Sequence, residues 1–584
     1  MEKRLLIALA LSFLVLILWS KLFVPPEPQV QKVEEKAEKK EEVSIEKKEE
    51  VKEEPFEGEV KEFQEREFLL ENEYFKIHFT NKGARIKEIE LKKYLDYNKK
   101  PLSLFPKYNP VYSPLNLNFQ EENLNKMANG EFYKGEFDGE RLTFYLFLPE
   151  IKIKKAFFIE NGFLKCDFEV EKVKNFSISL GPGLRDVDPR EENNKFLLPA
   201  NFVYNDFKGI ERKAITKFGK KMPSLELEAQ AVKYFGLEDS YFLSVIIPEK
   251  GFGKIKVFPE KNIFFRAYLK KGFNYDYLDE TLKERVFWDE ENKKLSLFGT
   301  FTQAEKEKIK NGVKDPKESR KLEALLQRNF SQLFIEASSK EKNLSLSVFF
   351  GAKDLEYLKK NQKEFVELVN FGFFSFIAKP LLWILKGING LVHNWGFSII
   401  ILTFLLRIAL YPINHKQIVS MKKMQKIQPK IEAIRKKYKN ALKDMEERAK
   451  MNQEIMEAYK KEGINPLGGC LPLAVQIPIL WAFYSMLTAA IELRNSPFIF
   501  WIKDLSSRDP YYITPILMGV AMLWQQKMTP ATGTGSQKFL MNMMPIFFTF
   551  LFLNFPSGVV LYWFMNTVLQ IVQTYIYKWH TKEV

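Results

Sequence analysis

The stretch VHNWGFSIIILTFLLRIALYPI, residues 392–413, decides how the chain is built. It is long and apolar enough to cross a bilayer, for which ~20 residues suffice, yet it carries one cation, Arg407. A charge in hydrocarbon costs at least ~2.5–3.5 kcal/mol on insertion scales, so such residues face a bundle interior or a water-filled cavity. Snorkelling to the interface is the alternative. The first charge beyond the stretch, Lys416, lies about 13–14 Å of helix further on, farther than a guanidinium reaches. Four more apolar segments follow at roughly 466–488, 511–527, 539–554 and 557–576, and none of the five contains Asp or Glu. A cation without a fixed counter-ion predicts a cavity that receives something polar or acidic from outside the protein.

The rest of the chain is of another kind. Aromatics make up 15% of the 584 residues, but charged residues make up 28%, which joins a membrane part to a water-exposed part. The apolar segment Leu5–Val24 behind Lys3 and Arg4 has no small-x-small cleavage site, so 1–24 reads as an uncleaved signal anchor with its N-terminus in the cytoplasm. Residues 25–55 form a charged tract without aromatics, too polar to offset chain entropy by burial, hence a disordered tether. From 56 to 350, short runs such as YFKIHFTNKG (74–83), RIKEIELKKY (85–94), RLTFYLFLP (141–149) and FLKCDFEVEKV (163–173) alternate with period two between Asn, Gly and Pro. That pattern predicts antiparallel strands with one wet face in a large β-sandwich, with a helical stretch from about Thr302 to Leu333. Residues 351–391 form a linker and an amphipathic helix lying at the interface, because Lys379, Pro380 and Lys386 interrupt its apolar run.

Charge sets the topology of 392–584. The polar segment 414–463 holds fourteen Lys/Arg against seven Asp/Glu, a net of +7, and its helical periodicity on both sides of about Asn440 predicts an antiparallel hairpin. Positive loops stay inside, so the hairpin is cytoplasmic, and Lys422, Lys423, Lys426, Arg435, Lys436 and Lys437 make its basic face. That face suits ribosomal RNA, anionic lipid or an incoming chain, or serves only as a topology determinant. The loop at 489–510 sums to zero and suits the outside. The fold class is therefore a polytopic α-helical membrane protein of six transmembrane helices with a large external all-β domain, residues 25–391 outside and both termini inside. The net charge of +15 follows this topology, which removes the case for a general nucleic-acid or DNA binder. Two cysteines in different contexts and four scattered histidines give no disulfide, metal or cofactor motif.

Within the spans, Thr403 and Arg407 share a helix face four residues apart, as do Asn566 and Gln570. Gln476 adds a polar group in the third span. Gln525, Gln526 and Asn542 read as interhelical contacts. Pro472, Pro478 and Pro515, with the short span at 511–527, favour local bilayer thinning beside a polar groove.

Four segments, WGFSIIILTFLLRIALYPI (395–413), INPLGGCLPLAVQIPI (464–479), SPFIFWIKDLSSRDPYYITPILMG (496–519) and NFPSGVVLYWFMN (554–566), closely resemble the YidC family of membrane protein insertases. The resemblance implies a five-helix insertase core around a hydrophilic groove, closed on the outer face, in a bacterial inner membrane. It makes Arg407 the groove arginine and Thr403 a neighbouring client contact. A further contact, often Tyr in the family, falls on Trp563 beside Tyr562, so a phenolic hydroxyl is missing there. It further implies a periplasmic β-supersandwich like the sugar-mutarotase folds. Nascent membrane proteins are the implied clients, with the Sec translocon, the ribosome and lipids as partners, and no bond chemistry. A secondary transporter or channel would need inverted repeats or acidic coupling residues in the spans, and neither is seen. A membrane-anchored carbohydrate-binding protein remains open from sequence.

Overall fold

The computed structural model describes residues 64–580 apart from short breaks, the longer ones at 106–112, 185–199, 219–222, 327–330, 439–444, 464–470 and 529–534. The expected anchor at 1–24, the tether at 25–55, the start of the β-domain at 56, the turn near Asn440 and the run holding Cys470 lie outside the described residues.

Each of the quoted alternating runs forms a strand. In Phe163–Glu171 the side chains of Leu164, Cys166, Phe168 and Val170 are buried while the residues between them are half-exposed, as period-two geometry requires. This strand belongs to a nine-stranded antiparallel sheet. Its order is Ile210–Lys213, Asn201–Asn205, Tyr234–Glu238, Phe242–Lys250, Asn343–Ala352, Phe163–Glu171, Lys152–Glu160, Arg141–Phe147 and Lys134–Phe137. A five-stranded sheet (Leu225–Glu228, Phe252–Lys261, Ser331–Ser339, Ser177–Leu180, Leu117–Asn118) and a four-stranded one (Glu67–Glu71 to Pro101–Leu104) share its core, which includes Ile77, Phe79, Phe168, Phe235, Ile255 and Ile335.

Two features depart from the sequence reading. The helical stretch expected to reach Leu333 stops at Leu326, and Ser331–Ser339 is a central strand. In addition, the strands Phe264–Tyr268, Val286–Asp289 and Lys294–Phe298 with the helices Gln303–Asn311 and Pro316–Leu326 enclose a separate apolar core around Leu282, Leu295, Leu297, Ile309 and Leu322. Alternation reports which face of a strand is wet, not which core it joins.

Lys155 is fully buried in Lys152–Glu160. Its Nζ donates to the carbonyls of Gly83 (2.7 Å) and Ala84 (3.2 Å) and lies 5.1 Å from the centre of the Tyr133 ring. Burial, with a smaller push from Arg85, brings its ammonium down from 10.5 to about 7. The unfolded chain then binds the extra proton between pH 7 and about 10.5, so stability rises with pH across that window. Buried Cys166, whose thiol burial pushes up, takes the opposite sign once it ionises in the unfolded chain, above pH ~8.5. Between pH 7 and 8.5 the β-domain should gain about 1–2 kcal/mol. Urea melts of the whole protein should show this gain, and Lys155→Met should flatten it.

The helical part contains α1 (Ser375–Val392), α2 (Trp395–Ala409), α3 (Tyr411–Lys437), α4 (Met445–Lys461), α5 (Leu471–Ala489), α6 (Ile513–Met528), α7 (Gly535–Phe552) and α8 (Ser557–His580). The span expected at 392–413 is interrupted. α2 ends at Leu410 and α3 begins at Tyr411–Pro412, with a bend of 62° between them. Pro412, the second residue of α3, has no N–H to donate to the Ile408 carbonyl and its ring crowds that carbonyl, so α2 does not run on through it. α3 and α4 form the expected hairpin, with Ile427, Ile431 and Ile434 packed with Ala458. By length and composition, α1 and the Ser557–Trp579 part of α8 are long and apolar enough to cross a membrane, and α2 with the start of α3 makes a third if counted as one bent span. Among the described residues this is fewer than the six expected, and α1, expected at the interface, is one of them; α2 and α6 have only 15 and 16 residues, and the other candidates lie in or adjoin residues outside the description.

Candidate functional site

α8 is the hub of the helical part, and neighbouring positions on it address three different helices. Tyr562 is 2% exposed and stacks on Phe483 of α5 at 4.0 Å, while its hydroxyl accepts a 2.5 Å hydrogen bond from Gln476 Nε2. Trp563, the next residue, turns about 100° away and packs on Phe548 and Phe552 of α7, its indole N–H buried without an acceptor among the described residues. Asn566 and Gln570 face α2. There Arg407 Nη2 donates to the Asn566 carbonyl (2.7 Å) and to Gln570 Oε1 (3.0 Å). The Nε of Arg407 is buried without a partner among the described residues. Thr403, one turn away, is fully buried and donates to Ile399 of its own helix (2.7 Å). Of the residues singled out from sequence, Arg407, Thr403 and Asn566 lie along the α2–α8 seam, Gln476 and Tyr562 join α5 to α8, and Trp563 faces α7.

The guanidinium is thus held by a carbonyl and an amide, both neutral. Interhelical contact explains Gln526, which donates to Asn542 across α6 and α7 (3.1 Å). Two seam residues were missed from sequence. Asn414 on α3 and Gln573 on α8 each bury a side-chain nitrogen that has no partner among the described residues. For Gln573 the signal was present, since it follows Asn566 by seven residues and Gln570 by three and so continues their face of α8; Asn414 lies beyond the bend between α2 and α3, where spacing from Arg407 carries no face information. All three orphan atoms are donors. Past them, His415 lies between Tyr411 and Tyr577, and Lys422 sits 4.3 Å over the Tyr577 ring. On the hairpin Lys423, Lys426 and Lys436 are exposed, Lys437 pairs with Glu454 (3.0 Å), and Arg435 is half-buried.

The opposite end of the seam is covered by the α5–α6 connection. Asn394 caps α2 and donates to the Phe498 carbonyl (3.1 Å). Phe498 lies so close that a Cβ on Gly396 would fall 2.0 Å from its ring, so only glycine fits there. Asp504 and Asp509 are buried in this connection and bound by its own hydroxyls and amides. Arg494 and Asn495 both donate to the Leu95 carbonyl of the β-domain (2.9 and 3.1 Å).

A helical bundle that holds a buried cation on neutral acceptors, covered at one end by a connection bonded to a β-sheet domain, defines the class as a membrane protein with a large β-rich domain. Two family models match: the 60 kDa inner membrane protein over residues 387–583, and the YidC periplasmic domain over 68–274 and 306–384. The membrane protein insertase YidC of Syntrophus aciditrophicus is 32% identical over 542 residues, covering 89% of this chain and 86% of that protein. The YidC insertase of Geobacter metallireducens is 49% identical over 238 residues, 41% of this chain and 43% of that protein. A solved structure of an active YidC insertase covers 87% of this chain and 92% of its own at 18% identity, with a TM-score of 0.34. The chain belongs to the YidC family of inner-membrane proteins, and its function is that of a membrane protein insertase.

Proposed function

We propose that this insertase works through a polar groove along the α2–α8 seam. The groove opens toward the cytoplasm and is shut at its outer end by the α5–α6 connection. A hydrophilic client segment enters it while the client's apolar helix stays in lipid beside α5 and α7. The observation that carries this reading is Arg407, a buried cation whose Nη2 is held by neutral acceptors and whose Nε is buried without a partner among the described residues. In a low-dielectric seam an unpaired donor is costly, and an acceptor oxygen from outside would relieve that cost. Thr403, Asn566, Gln476 and Tyr562 complete the groove wall in this reading, and Trp563 supports α8 from the lipid side.

The short helices favour the same mechanism. α2 and α6, at 15 and 16 residues, span only ~22–24 Å of a hydrocarbon layer ~30 Å thick, and short spans thin the bilayer around them. A thinner barrier beside a hydrated groove lowers the cost of moving a polar tail without ATP. The proposed topology has six crossings with both termini in the cytoplasm and the β-domain in the periplasm, where the nine- and five-stranded sheets form a supersandwich. It keeps α1 at the interface. Lys386, in the middle of α1, pairs with Glu492 just beyond the end of α5 and with Glu356 of the β-domain, which favours a helix lying level with the bundle's rim. Family membership supports action alone or beside the Sec translocon, with the ribosome as a further partner.

The test is insertion of a short single-span client with an acidic outer tail into liposomes containing only this protein. Tail protection from protease should exceed that in empty vesicles. Equal protection would leave a role only as a chaperone beside the translocon. Replacing Asn414 and Gln573 together by leucine should slow insertion about 5- to 30-fold, the worth of two neutral hydrogen bonds at ~0.5–1 kcal/mol each, and protease-protection time courses would read it.

A further inference from the structure

The two hairpin helices differ in charge. α3 carries eight basic residues (Lys416, Lys422, Lys423, Lys426, Lys430, Arg435, Lys436, Lys437) against Glu432 alone, a net of +7. α4 carries Arg448, Lys450, Lys460 and Lys461 against Glu446, Glu447, Glu454 and Glu457, a net of zero. The excess is therefore confined to the helix that continues directly from α2. It is also ordered: Lys416, Lys423, Lys430 and Lys437 recur every seven residues, a strip of about 31 Å along one side. Ile427 and Ile434, each four residues beyond a strip lysine, border it and pack with Ile431 in the hairpin core, so the strip runs along the hairpin's edge. Lys437 is engaged by Glu454, whereas Lys416, Lys423 and Lys426 are exposed and meet no carboxylate among the described residues.

A solvated topology signal needs neither this spacing nor confinement to one helix. The 62° bend at Leu410 gives the strip a direction. With α2 along the membrane normal, the first part of α3, Tyr411–Met424, leaves the bilayer inclined by 28° to its plane (90° less 62°), so Lys416 and Lys423 run beside the headgroups rather than out into the cytoplasm. The residue types choose between anionic partners. RNA is taken by Arg forks and by aromatic side chains on which bases stack. On α3 the single arginine, Arg435, is half-buried with its Nε out of contact with solvent, and the exposed strip offers lysines alone. Lysine is a point charge that suits a diffuse anionic surface.

We propose that α3 is a membrane-surface strip whose lysines, Lys416, Lys423 and Lys426 foremost, bind anionic lipid headgroups beside the cytoplasmic mouth of the α2–α8 seam. This docks the hairpin against the bilayer and holds that mouth at headgroup level. The inference rests on the topology proposed above only in placing the strip on the cytoplasmic side; the chemistry of headgroup contact does not depend on it.

The full chain would be reconstituted in nanodiscs, whose two faces are both accessible, made of phosphatidylcholine alone or with phosphatidylglycerol. Amide hydrogen exchange would be followed over α3, with α4 and the β-domain as internal controls for folding. In discs containing phosphatidylglycerol, exchange over residues 416–430 should slow about 5- to 10-fold at low salt, and the effect should vanish in high salt and in a Lys416→Gln, Lys423→Gln, Lys426→Gln variant. The Lys→Arg version of the triple variant should retain it. No dependence on phosphatidylglycerol, or the same dependence in the glutamine variant, overturns the proposal. Slowing that appears only when ribosomal RNA is added overturns it in favour of an RNA surface. Because insertion is measured separately in liposomes, a failed insertion assay with lipid-dependent protection would sink the groove reading while leaving this one standing.

Discussion

Arg407→Ala should slow insertion of a client with an acidic tail about 30-fold or more, while a client with an uncharged tail loses less than about 5-fold. The asymmetry follows from how the guanidinium is held. Nη2 is spent on Asn566 and Gln570, which fixes the group against α8, and Nε faces the seam unpaired. A carboxylate that reaches it makes a charge-assisted contact inside a poorly screened cavity, and such contacts are worth roughly 2–4 kcal/mol of barrier. An uncharged tail gains only a neutral hydrogen bond. Arg407→Lys keeps the charge but not the fork, so it should retain most activity toward the acidic tail, with a several-fold loss from weaker anchoring to α8. Protease-protection time courses with both clients, on variants whose tryptic pattern matches the parent, decide the matter. If both clients fail equally, Arg407 serves only to hold α2 against α8, and the groove reading loses its central residue.

The part of this site that breaks the hydropathy pattern was legible in the sequence. A cation in an apolar run is conspicuous, and the i, i+4 pairs Thr403/Arg407 and Asn566/Gln570 place their faces without any structure. What the faces meet was not legible. Tyr562 and Trp563 are adjacent in sequence but face α5 and α7 respectively, because successive helical residues diverge by about 100° and only packing tells which direction holds which neighbour. Leu410 could have been read as a break from Pro412, but the apolar run continues across it and hides the bend. In the β-domain, alternation located Phe75–Thr80, Arg85–Leu95, Arg141–Phe147 and Phe163–Glu171. The pairing of Phe252–Lys261 with Ser331–Ser339 spans the whole small subdomain between them, and local pattern carries no information about such long-range register. The acidic residues of 489–510 suffered most. Summed as loop charges they cancel, yet two of them are buried organisers of the connection.

Asp504 is the sharper of those two. Its Oδ1 accepts from the Asn495 amide (3.1 Å) and from the Ser506 amide and hydroxyl (2.9 and 2.8 Å), and its Oδ2 accepts from the Ser507 hydroxyl (2.6 Å). Its carbonyl takes the Ser557 hydroxyl (3.1 Å), while the amides of Ser557 and Gly558 donate to Ser507 and Leu505. The connection thereby satisfies first-turn N–H groups of α8 that would otherwise be unpaired. Asp504→Ala removes every side-chain acceptor at once and leaves buried donors behind, a loss of about 3–5 kcal/mol. The damage should be local, since Phe498 is held on α2 by Asn394, by its close fit over Gly396 and by an edge-on contact with the Phe397 ring. Ser398, fully buried in the first turns of α2, then reports the opening. In a background without Cys166 and Cys470, Ser398→Cys should resist a bulky polar maleimide in the otherwise unaltered protein and react at least about 10-fold faster with Asp504→Ala. Asp504→Asn, which keeps one acceptor oxygen, should fall between. Unchanged labelling in a destabilised Asp504→Ala protein would mean that the connection stays closed by apolar packing alone, and that its buried carboxylate stabilises the loop without sealing the groove.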